Sequence, residues 1–384
     1  MRKLIPALAL AAAAGQVHAL TIEAGDWTLG VSGNVNSHAV FAECDDSGNQ
    51  VDANALLCTG ENASSVSNGY IPASLMWTVA TQQQGYDISA NIALEPGLTT
   101  NAAFNGQDDD QAIRAFLLAK KEGLGTIKAG RDYGVYALDV ILADMSLIGV
   151  GAHGLVKSPL NTSFGSVGYG YIFTDRISQI SFSKPLGDSA EATIGVFQPL
   201  DLITLGAGVS TTGDSGSSLP GVHGKLRFNG ENGFVSASFL SQTVKAGSAD
   251  YTGNAVDLTA SYTFNDLGVV ASCFTADGVG TAGLFIDAAD VNGEARRSKG
   301  CFGQLTYQAD ATKYGISLGQ TRLDKTAADP DTLMKSQTKA TIGAYHNLTD
   351  NLMMIAEYSR FNAKNHLGDE LENSSVNLGL AFFF

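Results

Sequence analysis

The 384-residue sequence contains no run of about 18 consecutive apolar residues, so no part of it can cross a bilayer as a hydrophobic helix. It is short of positive charge, with 23 Lys+Arg against 38 Asp+Glu and a formal net charge of −15. That balance provides no basic face for phosphate, and nucleic acid is not expected as a partner. The six histidines show no HExxH or paired spacing, and the four cysteines no CxxC spacing, so no metal site is expected. No motif demands a cofactor, and none is expected. Proline is scarce, at 8 residues, while glycine reaches 44 and hydrophobic residues 44%. Such a chain is rich in strands and turns, and lack of a spanning helix leaves a closed β-barrel open, because a barrel satisfies its backbone groups between strands.

What is present begins with a charged Arg2-Lys3 pair, a short apolar stretch over residues 4–15 and a small-residue exit at Val17-His18-Ala19. This is the pattern of a secretory signal peptide over residues 1–19, with the mature protein as residues 20–384. An even number of cysteines behind such a signal favours disulfides, and three connectivities are open to Cys44, Cys58, Cys273 and Cys301. Pairing neighbours, Cys44 with Cys58 and Cys273 with Cys301, closes two local loops and is the economical choice.

From residue 26 onward the chain alternates apolar and polar residues in segments about ten residues long. Trp27, Leu29, Val31 and Val35 share one parity, with Thr28, Ser32, Asn34 and Asn36 on the other. Residues 222–228 set Val222, Leu226 and Phe228 against His223, Lys225 and Arg227. Period-two alternation makes each such segment a strand with one apolar and one wet face. Short turns such as Gln83-Gln84-Gly85 alternate with long polar connections, giving one strand, seven short-turn hairpins and a final strand. An even set of sixteen antiparallel strands in that rhythm is the signature of an outer-membrane barrel, apolar toward lipid and polar toward a water-filled lumen. The last strand ends on Phe384, with Val376, Leu378, Leu380 and Phe382 on the same face, a ribbon that needs lipid or a protein partner.

One connection breaks the rhythm. Residues 133–173 form a stretch longer and less polar than the others, with Val140, Ile141, Leu142, Met145, Leu147 and Ile148 near its start. A long apolar connection is seldom idle in water, and the expectation is a loop folded inward against the barrel wall. The segment running from Leu124 through Arg131-Asp132-Tyr133 to Tyr136, followed by Asp139 and Ala143-Asp144-Met145, resembles the fifth strand and third loop of the trimeric general diffusion porins of Gram-negative outer membranes. The resemblance implies an all-β, 16-stranded antiparallel transmembrane barrel in the bacterial outer membrane, with a long third loop folded into the lumen as a constriction. It implies a homotrimer surrounded by outer-membrane lipid, passing small hydrophilic solutes and ions and catalysing nothing. It also implies that Arg131 and Arg176 belong to a basic cluster on the wall, that Asp139 and Asp144 are opposing loop acids, and that Phe384 is the assembly signal. Parity adds Lys128, Lys225 and Arg227 to the lumen face.

Two motifs point elsewhere and are read as structural. Gly149-Val-Gly-Ala-His-Gly154 matches GxGxxG, but the residues after it carry Pro159 and turn formers rather than a helix. Gly213-Asp-Ser-Gly216 lies in a low-complexity stretch with nothing to mark a histidine or acid beside Ser215. A substrate-selective porin and a non-channel adhesin or structural barrel remain the alternative readings.

Overall fold

A computed structural model describes residues 20–384 apart from 45–50, 53–57, 59–60, 98–110, 154–161, 202, 206–208, 212–218, 247 and 283–284. The signal segment 1–19 and the motif around Ser215 lie outside the described residues.

Sixteen strands, from Trp27–Glu43 to Glu370–Phe383, join neighbour to neighbour in one antiparallel sheet. The sheet closes because Trp27–Glu43 pairs with the last strand from Asn34↔Phe383 to Glu43↔Ser374. Closure leaves no unpaired edge, which is the condition for strands to stand in lipid. Alternation decides the faces as expected. Leu258, Ile316, Leu318, Ile342 and Leu378 are each more than half exposed on the outside, whereas Thr259, Ser317, Thr341 and Asn377 are buried on the inside. The turns are tight: Gln84 and Gly85, at φ 51° and 78°, make the mirror-image two-residue turn whose twist matches that of antiparallel strands. The disulfides are Cys44–Cys58, closing the first long connection, and Cys273–Cys301, directly opposed on adjacent strands with a Cα–Cα distance of 4.1 Å.

The second strand departs from the sequence reading. It starts at Ser74 rather than near residue 71, and a short strand, Ala63–Ser67, runs ahead of it along the same neighbour. His38 stands opposite Ser67, while Asn34 stands opposite Ser74. Residues 68–73 are therefore an insertion in the line of pairing, and all six are buried. Pro72 within that insertion cannot donate to a ladder, a physical reason for the break. A further short strand, Leu20–Ala24, pairs with Trp27–Glu43 just beyond the point where Phe384 ends, Leu20 facing Val31 and Phe384 exchanging both backbone bonds with Gly33.

Candidate channel neck

Four successive strands bring one charged cluster together on the inner wall. Glu95 sits near the end of Tyr86–Pro96, Arg114 on Gln111–Lys121, Lys128 and Asp132 on Gly125–Tyr133, and Arg176 at the start of Arg176–Leu186. Glu95 accepts from Arg114 Nε at 2.7 Å and from Arg176 Nε. Asp132 accepts from Arg114 at 3.2 Å and from Lys128 at 3.0 Å. The Tyr133 ring lies under both guanidinium groups, 4.8 Å from Arg114 and 5.2 Å from Arg176. Arg176 also donates to Asp175 at 2.7 Å. The Asp175 side chain is 40% exposed and that of Arg176 4%.

The segment 133–173 supplies the second set. Its short helix, Leu138–Ala143, carries Asp139 in the first turn, where a carboxylate suits the helix dipole. Asp139 accepts from Lys225 at 2.9 Å and from Arg227 at 2.7 Å, both on the inner face of Gly221–Asn229. Asp144 is placed differently. Its oxygens accept from the backbone N–H of Ser146 at 2.8 Å and of Ser166 at 3.1 Å, and from the Tyr171 hydroxyl at 2.7 Å, so it ties the loop to itself.

Arg131 is a correction. It stands opposite Ala115 and Ser178, in the outward row that holds Ile113, Leu117, Ile127 and Ile180. Lys128 and Arg131 are three residues apart on one regular strand, and an odd separation sends two side chains to opposite faces. Lys128 faces in, so Arg131 faces out. The sequence reading missed Glu95, Arg114 and Asp132. Glu95 and Arg114 each lie next to apolar lipid-facing residues, Leu94 and Ile113, and that inverse parity was the available signal.

The rest of the segment is fastened to the wall on several strands. Ala137 N–H donates to Ser238 at 2.9 Å, Met145 N–H to Gln304 at 2.6 Å and Gly170 N–H to Thr321 at 2.9 Å. Gln337 donates to Gly168 O at 2.5 Å, and Lys339 Nζ to Gly165 O at 2.6 Å. Glu357, 3% exposed, receives Val150 N–H at 2.9 Å, Gly151 N–H at 3.0 Å, the Tyr345 hydroxyl at 2.6 Å and Asn377 at 2.7 Å. Gly149 belongs here: a Cβ on it would collide with the Glu357 carboxylate, which accounts for the first glycine of the GxGxxG match without any nucleotide. On the opposite side the insertion 68–73 meets the segment, with Tyr70 N–H donating to Gly149 O at 2.7 Å and Ile71 N–H to Leu147 O at 3.1 Å. His153 packs edge-on against Phe361 with ring centroids 5.6 Å apart, and its burial, with Lys339 nearby, pulls its pKa down to about 4.

The sequence pattern that defines the Gram-negative porins matches residues 7–366. The chain belongs to the Gram-negative porin family. Among solved structures, the outer membrane channel DcaP of Acinetobacter baumannii superposes with a TM-score of 0.69 at 14% identity, over 94% of this chain and 99% of that one. The anion-selective porin from Comamonas acidovorans gives 0.66 at 13%, over 93% and 100%. Salmonella typhi OmpF in complex with daunomycin gives 0.64 at 14%, over 95% and 100%. At these identities the likeness is one of fold. No curated protein sequence matches the chain. This porin is accordingly a bacterial outer-membrane protein that forms a diffusion channel, and a channel rather than an enzyme.

Proposed function

We propose that residues 133–173 fold into the lumen and set the channel's narrowest point, so that passage is limited to small hydrophilic solutes and ions. The observation that carries this is the set of bonds from the segment's backbone to inward side chains of five strands, from Ser238 to Glu357. The neck's charged groups are Arg114, Lys128, Arg176, Lys225 and Arg227, against Glu95, Asp132, Asp139, Asp175 and Asp257. Five cations against five acids, all in direct ion pairs except Asp257, which accepts from the hydroxyls of Ser238 and Thr259, supply no net ring charge, which supports a weak ion preference. Asp175, Arg227 and Lys128, their side chains 40%, 28% and 18% exposed, are open to a solute in transit, whereas Arg176 is 4% exposed and holds the wall together.

A second reading, a channel that selects one class of solute, is favoured by a hollow of about 90 Å³ beside the neck, lined by Tyr70, Ile71, Leu138, Ile141, Phe164 and Phe173, with Arg176 at its edge. A homotrimer is part of the proposal, supported by OmpT of Vibrio cholerae, solved in a trimer form and similar in fold at a TM-score of 0.58. Planar-bilayer recording tests all of this. Steady conductance with a reversal potential near zero in a KCl gradient is expected; saturable block by one solute would establish the selective reading, and no conductance would overturn both.

A further inference from the structure

We propose that the outer wall carries a binding site for the phosphate of an outer-leaflet lipid, centred on Lys299 and Arg322 with an acyl-chain trough beneath. On the outward face of this barrel, among the described residues, cations near the loop-side rim stand beside acids or, like Arg131 and Lys335, alone. Lys245 is opposite Asp250, Arg297 opposite Asp277 and Lys364 opposite Glu370, and Arg360 reaches Glu372 at 2.9 Å. Lys299 and Arg322 break that rule. They are directly opposite each other on the strands Arg297–Ala309 and Thr312–Leu323. Like charges so placed repel, and an anion bridging them relieves that repulsion. Among the described residues neither has a carboxylate within ion-pair distance; Arg322 Nε donates only to Gln320, at 3.1 Å. The two line one surface hollow with Arg297, Thr275 and Val256, whose acids are Asp277, already paired with Arg297, and Asp324 at the rim.

The position suits a headgroup. At the turn-side end of the same face stand Phe264, Leu267, Tyr307 and Tyr314, one aromatic-rich row of register. Lys299 lies eight residues along the strand from Tyr307, about 26 Å at the rise of a strand, or about 20 Å across the membrane at a tilt of about 40°. That is close to the height of the apolar band, so the pair sits at the opposite boundary, on the loop side. Directly below it the wall is thin. Cys273–Cys301, Ala271 and Gly303 form a strip flanked by exposed Leu258, Leu305 and Leu318, and a Cβ on Gly303 would meet nothing within 4 Å. An acyl chain laid in that strip places a phosphate between the two cations, whose fork and ammonium both favour it. Free phosphate offers the same charge without the chain, and the trough decides for the lipid.

Native mass spectrometry of the detergent-solubilised porin with bis-phosphorylated lipid A tests the site. Lys299→Glu should weaken retention at least tenfold and, in detergent without lipid A, should raise the unfolding temperature, because it turns a repelling pair into an attracting one. Lys299→Gln should lose retention without the same gain. Arg360→Glu and Lys364→Glu, equally charged changes on the same rim, should leave retention within twofold. Retention unchanged in Lys299→Glu, an equal loss in the rim controls, or displacement of lipid A by millimolar inorganic phosphate would each overturn the proposal.

Discussion

At the scale of residues, the opposite charges of the proposed neck touch one another. Asp139 is held by Lys225 and Arg227, so the pairing does two jobs: it docks the short helix and it cancels charge. Reversing Arg227 to Glu removes one positive group and leaves Asp139 beside a second acid. The expected outcome is a shift of the reversal potential toward cations, of several millivolts in a tenfold KCl gradient. Arg131→Glu, on the outer face, should leave that potential where it was; an equal shift from Arg131→Glu would move that residue into the lumen. Arg131 also shows how a resemblance can override a plainer signal, since Ile127, Ala129 and Arg131 share parity and already pointed outward.

His153 gives a pH dependence at the same scale. A released loop carries an ordinary histidine near pH 6.5, whereas the docked ring titrates at about 4. Between those values the released state binds the proton that the docked state refuses. Docking is complete above about pH 6.5 and weakens as pH falls, by about 1.4 kcal/mol per pH unit, until about pH 4. Comparing the porin with His153→Asn isolates the histidine: conductance noise should grow from pH 7 to pH 5 in the former and not in the latter.

At the scale of elements, the strands were legible because alternation is a local property, and the sixteen expected segments fall on the sixteen observed strands. The insertion 68–73 was not. Its residues pair with a loop about eighty positions away, and no periodicity within Asn68-Gly69-Tyr70-Ile71 announces that partner. The expected inward loop had a sequence signal in its apolar content, but its fastening at Glu357 and Gln304 had none, since inward polar residues occur on every strand. Glu357→Ala would leave two backbone N–H groups and two side-chain donors without an acceptor. Only the two backbone N–H groups belong to the loop, and at about 1 kcal/mol or more for each bond to a carboxylate its docking should weaken by about 3 kcal/mol. Amide exchange over residues 147–152 is expected to quicken at least a hundredfold while the strands stay protected. Deleting residues 69–72 should instead raise conductance, because it removes the wall's contact with the loop without touching its anchors.

At the scale of the whole molecule, the barrel is closed by the last strand and the short strand Leu20–Ala24 acting on one strand, Trp27–Glu43. Phe384 gives and takes a backbone bond with Gly33, at 3.0 and 2.8 Å, and its ring stacks on Phe382 with centroids 6.0 Å apart. Gly33 leaves room for that ring: a Cβ there would press on Phe384 and on the Ser74 carbonyl. The strand Leu20–Ala24 takes over along the same edge, so the closing line is built from both of these strands. A barrel loses its last two unpaired edges only when this line forms, because an open sheet in lipid leaves backbone groups unsatisfied along both. Removing Phe384 takes away two of those bonds and an aromatic at the turn-side boundary, a local loss set against a requirement on the whole. The fraction of heat-resistant folded barrel recovered in membranes should therefore fall severalfold, while the molecules that do close keep their single-channel conductance, since the backbone bonds of Phe384 go to Gly33 and none to residues 133–173. A drop in conductance with normal assembly would show the terminal residue acting on the pore instead of on closure.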